Sequence, residues 1–162
     1  MGARDVLVLV VILFISALVF FPLYLIFDNI HDALVLNPEI ASSAPTVEAL
    51  GGIERVIGRL DYMVFGLFIG YTLAVLITGW LVGGQPIFMI AYFIMIVMAV
   101  IVGAILSNVW EAFSESPELV ATLPNFVLTN NLMTYLPVYA SIVGFLGVVV
   151  MYGKPYLRGG GR

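Results

Sequence analysis

Residues 87–106, IFMIAYFIMIVMAVIVGAIL, run from Ile87 to Leu106 without one charged side chain. A helix of about 20 residues is as long as the hydrocarbon core of a bilayer is thick, about 30 Å. A helix also satisfies all of its own backbone polar groups, which lipid cannot do for it. The stretch therefore predicts a membrane-spanning helix.

Three more uncharged apolar runs flank this stretch, at residues 6–27, 62–82 and about 132–152. Each is close to the length that a spanning helix needs. The first run resembles the core of a signal peptide, but it is too long and is preceded by Asp5, so we expect it to be retained. The four runs predict an all-α integral membrane protein with four transmembrane helices.

The composition agrees with a single membrane domain over residues 1–162. The chain is 62% hydrophobic and only 10% charged, whereas about a quarter of the residues in ordinary soluble domains are charged. A small soluble domain could not hide so much apolar surface from water. The absence of cysteine excludes disulfides and thiolate metal sites. The net charge of −4 argues against nucleic-acid binding by the chain as a whole.

Two long polar connections and one short turn join the runs. The connections cover residues 28–61 and 107–131, and the turn is Gly83-Gly84-Gln85-Pro86. A turn this short predicts that the second and third spans are antiparallel neighbours.

The two long connections resemble each other. A constant offset of 79 pairs identical residues: Asn29 with Asn108, Ala33 with Ala112, Pro38 with Pro117, Glu39 with Glu118 and Pro45 with Pro124. This predicts two tandem helical hairpins, repeat 1 at about 1–84 and repeat 2 at about 85–162. With two spans each, both would face the same way around an axis along the membrane normal. The alternative is two loops that share common proline and acidic residues.

Within each connection, the first residues are compatible with a short separate helix or with a continuation of the membrane helix beyond the lipid. In both cases the helix should stop before Asn37-Pro38 and Ser116-Pro117, because proline disfavours helical conformation in the residue before it.

Basic and acidic residues are distributed unequally between the two ends of the predicted spans. The end with both termini carries Arg4 and a basic tail, Lys154, Arg158 and Arg162, whereas the loop end carries Arg55 and Arg59. The excess of basic residues predicts termini on the cytoplasmic or interior side. The tail is a topology signal, or a contact for anionic lipid or nucleic acid.

The outer loops are acidic, and we expect this face to be solvated or to meet a protein partner. The residues concerned are Asp28, Asp32, Glu39, Glu111, Glu115 and Glu118. Aromatic residues at the span ends, including Tyr24, Tyr62, Trp80, Trp110 and Tyr152, are typical of side chains that anchor at lipid headgroups.

Small residues four positions apart mark candidate helix-packing faces. They are Gly66 and Gly70, Ala99 and Gly103, and Ala140 and Gly144. Such pairs let two helix backbones approach closely, and van der Waals contact then drives association in lipid. The alternative is that glycine is simply frequent in membrane helices, and the pattern does not say whether the packing partner lies in the same chain.

No catalytic, cofactor-binding or metal site is predicted. His31 is the only histidine, and with Asp28 and Asp32 it offers too few ligands in fixed geometry for a credible metal site. The four spans contain no charged residue, which weakens proton relay, ion-coupled transport and voltage sensing as functions.

Two functional hypotheses follow from different classes. The first is a non-enzymatic structural protein that packs, as a homo- or hetero-oligomer, within a larger membrane assembly such as the membrane of a membrane-containing virion. The second is a small channel, holin-like pore or transporter subunit. A pore needs a continuous polar stripe, but the polar residues inside the spans are few: Ser16, Tyr71, Thr72, Thr78, Tyr92 and Ser141.

Overall fold

A computed structural model gives the fold of residues 2–82, 86–117 and 119–158. These residues form helices and turns and contain no strand. The seven α-helices are α1 (Gly2–Val35), α2 (Pro38–Ala41), α3 (Ala44–Ile57), α4 (Leu60–Val82), α5 (Pro86–Ser114), α6 (Val127–Thr134) and α7 (Leu136–Arg158), with a 3-10 helix at Val120–Asn125 between α5 and α6.

Several of these helices are long and apolar enough to cross a membrane. Three helical stretches qualify by themselves, Arg4–Val35, Ala44–Leu81 and Ile90–Ser114, and the bent pair α6 and α7 makes a fourth if it is counted as one span. The protein is therefore all-helical in its described part, with three or four candidate spans, and this is compatible with a multi-pass integral membrane protein.

The helices α1 and α5 both continue about two turns past their apolar runs. They end at Val35 and Ser114, just before Asn37-Pro38 and Ser116-Pro117, as predicted for a continued membrane helix. The two positions are also related by the offset of 79. Much of the remaining first connection is helical too, because α3 covers Ala44–Ile57.

The fourth apolar run is not one straight helix. Its first residues, Leu132–Thr134, belong to α6, and the helix axis turns by 75° at Tyr135 before α7 begins at Leu136. Pro137 lies in the first turn of α7, where a missing backbone N–H costs no helical hydrogen bond. The prediction of a continuous span over 132–152 is therefore wrong at its start.

The long helices form a bundle in which α1 and α7 lie between α4 and α5. Close packing joins α5 with α7, α1 with α5, α1 with α4, and α4 with α7. Among the described residues, α4 and α5 share no comparable interface, so the prediction that the second and third spans are packed neighbours is wrong. The side chains at the start of α1 meet those at the end of α4, so these two helices are antiparallel.

The helix contacts also lack the two-fold symmetry that was predicted for an axis along the membrane normal. A two-fold axis that exchanged the hairpins would make the α1–α7 and α4–α5 contacts equivalent. In the described part of the chain α1 packs on α7, whereas α4 has no such interface with α5. The hydrophobic core explains this asymmetry, because α1 contributes more buried residues to it than any other helix does. The buried α1 residues are Val6, Leu9, Val10, Leu13, Phe14, Ala17 and Phe21.

Candidate functional site

The loop end of the bundle is organised around a buried carboxylate, Asp61. Asp61 is in the first turn of α4 and is 7% exposed. Its two oxygens accept hydrogen bonds from the backbone N–H groups of Leu128 (3.0 Å) and Thr129 (2.6 Å), at the start of α6. The negative charge thus lies at the positive end of the α6 dipole, which compensates for its burial.

The helix α6 needs this external cap because its own sequence provides none. The residue at its N-cap position is Phe126, which has no side-chain acceptor and makes no capping hydrogen bond. An eight-residue helix is also too short to be stable by itself. Asp61 therefore fixes the position of α6 from a place 67 residues earlier in the chain.

An aromatic cluster holds the other side of α6. The indole ring of Trp110 is fully buried and packs edge-on against Phe21, with ring centroids 5.5 Å apart. Its Nε1 donates a hydrogen bond to Asn130 Oδ1 at 2.9 Å. Trp110 is consequently a core residue, and its predicted role as a headgroup anchor is wrong. Tyr62, in contrast, is 67% exposed.

Two of the three predicted small-residue faces pack inside the chain. A β-carbon at Gly103 would lie 3.3 Å from Pro137 Cα, and one at Gly144 would lie 2.8 Å from Ile96 Cγ2. Ala99 and Ala140 are both buried. The faces Ala99–Gly103 and Ala140–Gly144 thus allow the close approach of α5 and α7.

A further close approach was not predicted from the sequence. Any side chain at Gly147 would overlap the hydroxyl of Tyr92, and one at Gly79 would lie 3.3 Å from Met151 Cγ. Neither glycine belongs to the small-residue pairs, so only the packed structure distinguishes these two positions from other glycines in the spans.

The third predicted face, Gly66 and Gly70 on α4, is open. A β-carbon at either glycine would meet nothing within 4 Å in the described part of the chain. With Ala74 on the next turn, they line an apolar groove of about 660 Å³, to which α1 contributes Phe20. The groove lies on the side of α4 away from α7, because Phe68 and Gly79 on the other side of α4 face Tyr139 and Met151.

Of the six acidic residues predicted to form the acidic outer face, the five that the structure describes are all exposed. Asp28 and Asp32 lie on the extension of α1, Glu39 on α2, and Glu111 and Glu115 at the end of α5. Glu118 and Arg162 lie outside the described residues, as do the side chains of Lys154 and Arg158 and the turn residues 83–85.

His31 lies beside a cavity of about 400 Å³ between α1 and α3. Its Nδ1 is 3.6 Å from Asp32 Oδ1 and its Nε2 is 3.9 Å from Glu54 Oε2. Among the described residues, no three His, Asp or Glu side chains are arranged to hold a metal ion.

Comparison with protein-family models, curated proteins and solved structures found no match to this chain.

In the described part of the chain, the hydrogen bonds of two span hydroxyls stay within their own helices. Thr78 Oγ1 donates to Ala74 O and Ser141 Oγ donates to Pro137 O, each within its own helix. The hydroxyls of Thr72 and Tyr92 are buried without a hydrogen-bond partner in the described structure. The bundle centre is instead filled by apolar side chains such as Leu13, Ala17 and Val64.

Sequence reasoning missed Asp61 as a structural residue, although a signal was present. In the sequence, Asp61 is the last residue of the first polar connection and directly precedes an apolar run, and neither feature predicts a structural role for it. The later segment Phe126-Val-Leu-Thr-Asn-Asn131 lacks a Ser, Thr, Asp or Asn at its helix start, and a buried helix end without a local cap requires an acceptor from elsewhere.

Proposed function

We propose that this protein is a non-enzymatic structural protein of a membrane, with four spans, that packs into a larger assembly through the open Gly66–Gly70 face of α4. A virion membrane is one setting that suits such a role. The spans lack charged residues, and the interior of the bundle is apolar and closed by packing.

The uncovered face of α4 carries this proposal. Small residues on α5 and α7 are in contact with other helices of the chain, whereas Gly66, Gly70 and Ala74 line a groove in which a β-carbon at either glycine meets no described atom within 4 Å. In lipid, where the hydrophobic effect does not drive association, such a face gains van der Waals contact when another helix enters it. The partner helix comes from a second copy or from another membrane protein of the assembly.

The first prediction concerns this face. Gly66→Leu should fold normally, because a β-carbon at this position meets nothing within 4 Å in the described part of the chain, yet the leucine should fill the groove and release the partner. Native purification in mild detergent, followed by mass measurement, should show a smaller complex. Ala104→Leu, which enlarges an exposed position of α5 by three carbons where Gly66→Leu adds four, is the matched control and should leave the complex intact.

The rival function is a pore, and the same preparation distinguishes it. Purified protein in liposomes should leave the membrane tight to ions and dye, because apolar side chains fill the bundle. Saturable or gated flux at low protein density would overturn the structural proposal. An unchanged complex for Gly66→Leu would overturn the role of the α4 face.

We further propose two tandem hairpins with both termini on the cytoplasmic or interior side. The equal offset between the ends of α1 and α5 supports the duplication. The same order of long helix, short helices and long helix in each half supports it too. The basic residues Arg4, Lys154 and Arg158 support the orientation.

The second prediction tests this topology with single cysteines, which the native chain lacks. An impermeant thiol reagent added outside should label Ser42→Cys and Glu115→Cys alike, because both lie at the loop end. It should label Gly160→Cys only after the membrane is opened. Labelling of Ser42→Cys but not Glu115→Cys would exclude a four-span arrangement. Labelling of Gly160→Cys from outside, with both loop positions protected, would exclude the proposed orientation.

A further inference from the structure

A second concavity lies on the outside of α6, far from the α4 face. It is a shallow groove of about 490 Å³ between α6 and the 3-10 helix that precedes it. One part of its lining is apolar and comes from Val120, Leu123, Pro124 and Val127. The other part is polar and uncharged, with Asn130, Asn131 and Thr134 following each other along one face of α6.

Hydrogen bonds to the two asparagine side chains determine which of their polar atoms remain available to a ligand. Asn130 Oδ1 accepts from Trp110 Nε1, and Asn131 Oδ1 accepts from Tyr139 Oη, both at 2.9 Å. An indole nitrogen can only donate, so the carboxamide oxygen of Asn130 must face it. Each asparagine is left with its –NH2 group, for which the described structure holds no acceptor.

The groove therefore presents hydrogen-bond donors next to apolar surface. Its complement is an amphiphile with acceptor oxygens at one end and a hydrocarbon chain at the other. None of the described lining residues is charged, so the groove has no electrostatic preference for the net charge of a headgroup.

The direction of α6 places this surface where such a molecule is found. The helix turns by 75° from α7, so that if α7 crosses the bilayer, α6 runs nearly along the membrane surface. Its buried side packs on the bundle through Leu132 and Met133, and its opposite side carries the asparagines together with the exposed Val127. Because α6 leads directly into the first residue of α7, it lies at the end of that span, at the level of the lipid headgroups.

We propose that the groove of α6 binds one phospholipid, whose phosphate oxygens accept hydrogen bonds from the –NH2 groups of Asn130 and Asn131. One acyl chain then lies against Val127 and Leu123. The inference rests on the proposed membrane placement, but not on the proposed assembly or on the α4 face.

The third prediction is that purified protein retains phospholipid through these asparagines. Asn130→Asp combined with Asn131→Asp keeps an oxygen for Trp110 and Tyr139, but replaces both donors with anions that repel phosphate. Native mass spectrometry from micelles containing phosphatidylcholine should show one bound lipid, and the double variant should lose at least about tenfold in affinity. Asn125→Asp, an exposed change outside the groove lining, should bind as the unchanged protein does.

Three further binding experiments test whether the ligand is a phospholipid. Phosphatidylglycerol should bind as well as phosphatidylcholine, because the recognised group is the phosphate. Diacylglycerol with the same chains should compete poorly. Inorganic phosphate alone should not compete at millimolar concentration, and competition by it would overturn the lipid as the occupant.

A second variant covers the case in which the double substitution does not fold. Val127 is 62% exposed, so Val127→Trp should fold and should block the groove without a change in charge. Lipid retention by both variants, or equal binding of diacylglycerol, would overturn the proposal. Flotation of the unchanged protein with vesicles tests membrane placement separately, and failure of flotation would refute the membrane proposal itself.

Discussion

Replacing Asp61 with alanine is expected to destabilise the protein by about 3 kcal/mol, because one buried and one partly buried N–H group would lose their acceptor, at a cost of roughly 1–3 kcal/mol for a fully buried group. Leu128 and Thr129 hold these N–H groups at the start of α6. The effect should be local before it is global: α6 should unfold first. Unfolding followed by circular dichroism in detergent measures the total, and hydrogen exchange at the two amides measures the local part.

Two further variants distinguish the loss of the capping hydrogen bonds from the general effect on stability of removing a negative charge. Asp61→Asn keeps one acceptor oxygen and should fall between the alanine variant and the unchanged protein. Glu48→Ala removes an exposed carboxylate from α3 and should change stability by less than about 0.5 kcal/mol. A stability of Asp61→Ala within that same margin would show that α6 does not depend on the cap.

Trp110→Ala is expected to have an equal or larger effect, about 3–5 kcal/mol, because it removes a fully buried indole and leaves a cavity. The ring packs on Phe21 and Phe113, with centroids 5.5 and 5.9 Å away. The loss also frees the oxygen of Asn130 from its hydrogen bond. Thermal or denaturant unfolding in micelles measures the effect.

The conservative variant divides this effect into packing and hydrogen bonding. Trp110→Phe keeps an aromatic ring but loses the N–H donor, and should cost about 1–2 kcal/mol. Val109→Ala, at a neighbouring position that is 47% exposed, is the control and should cost far less. If Trp110→Ala proved as mild as this control, the core position of the indole would be refuted.

The long helices could be predicted because their signals are local. Runs such as 87–106 exclude charge over the thickness of a bilayer, and prolines at positions 38 and 117 show where α1 and α5 stop. Pro137, two residues after Tyr135, marks the break between α6 and α7, because proline has no N–H to continue the helix and its ring clashes with the carbonyl four residues earlier. The position of α6 after the break could not be predicted, because the Asp61 carboxylate that caps it comes from a distant part of the chain.

The small-residue faces show a second limit of sequence reasoning. Gly66 and Gly103 occur in the same kind of pattern, yet a β-carbon at Gly103 would press on the backbone of Pro137 and one at Gly66 would meet nothing. Helical periodicity shows that a face is smooth, but only the arrangement of the other helices decides whether it is covered. For the same reason, the short connection after α4 did not predict which helices would be neighbours.

The bend before α7 has a consequence for the surrounding lipid if α7 crosses a bilayer. The uncharged part of α7 runs from Leu136 to Gly153, before Lys154, and these roughly 18 residues extend about 27 Å as a helix, a little less than the hydrocarbon thickness of about 30 Å. A bilayer compensates for such hydrophobic mismatch by thinning next to the short helix, at a cost that grows with each ångström. When copies of this protein lie in the same thinned region of bilayer, the free-energy cost of deforming lipid per copy is lower than for isolated copies. This favours clustering even without direct contact between the copies.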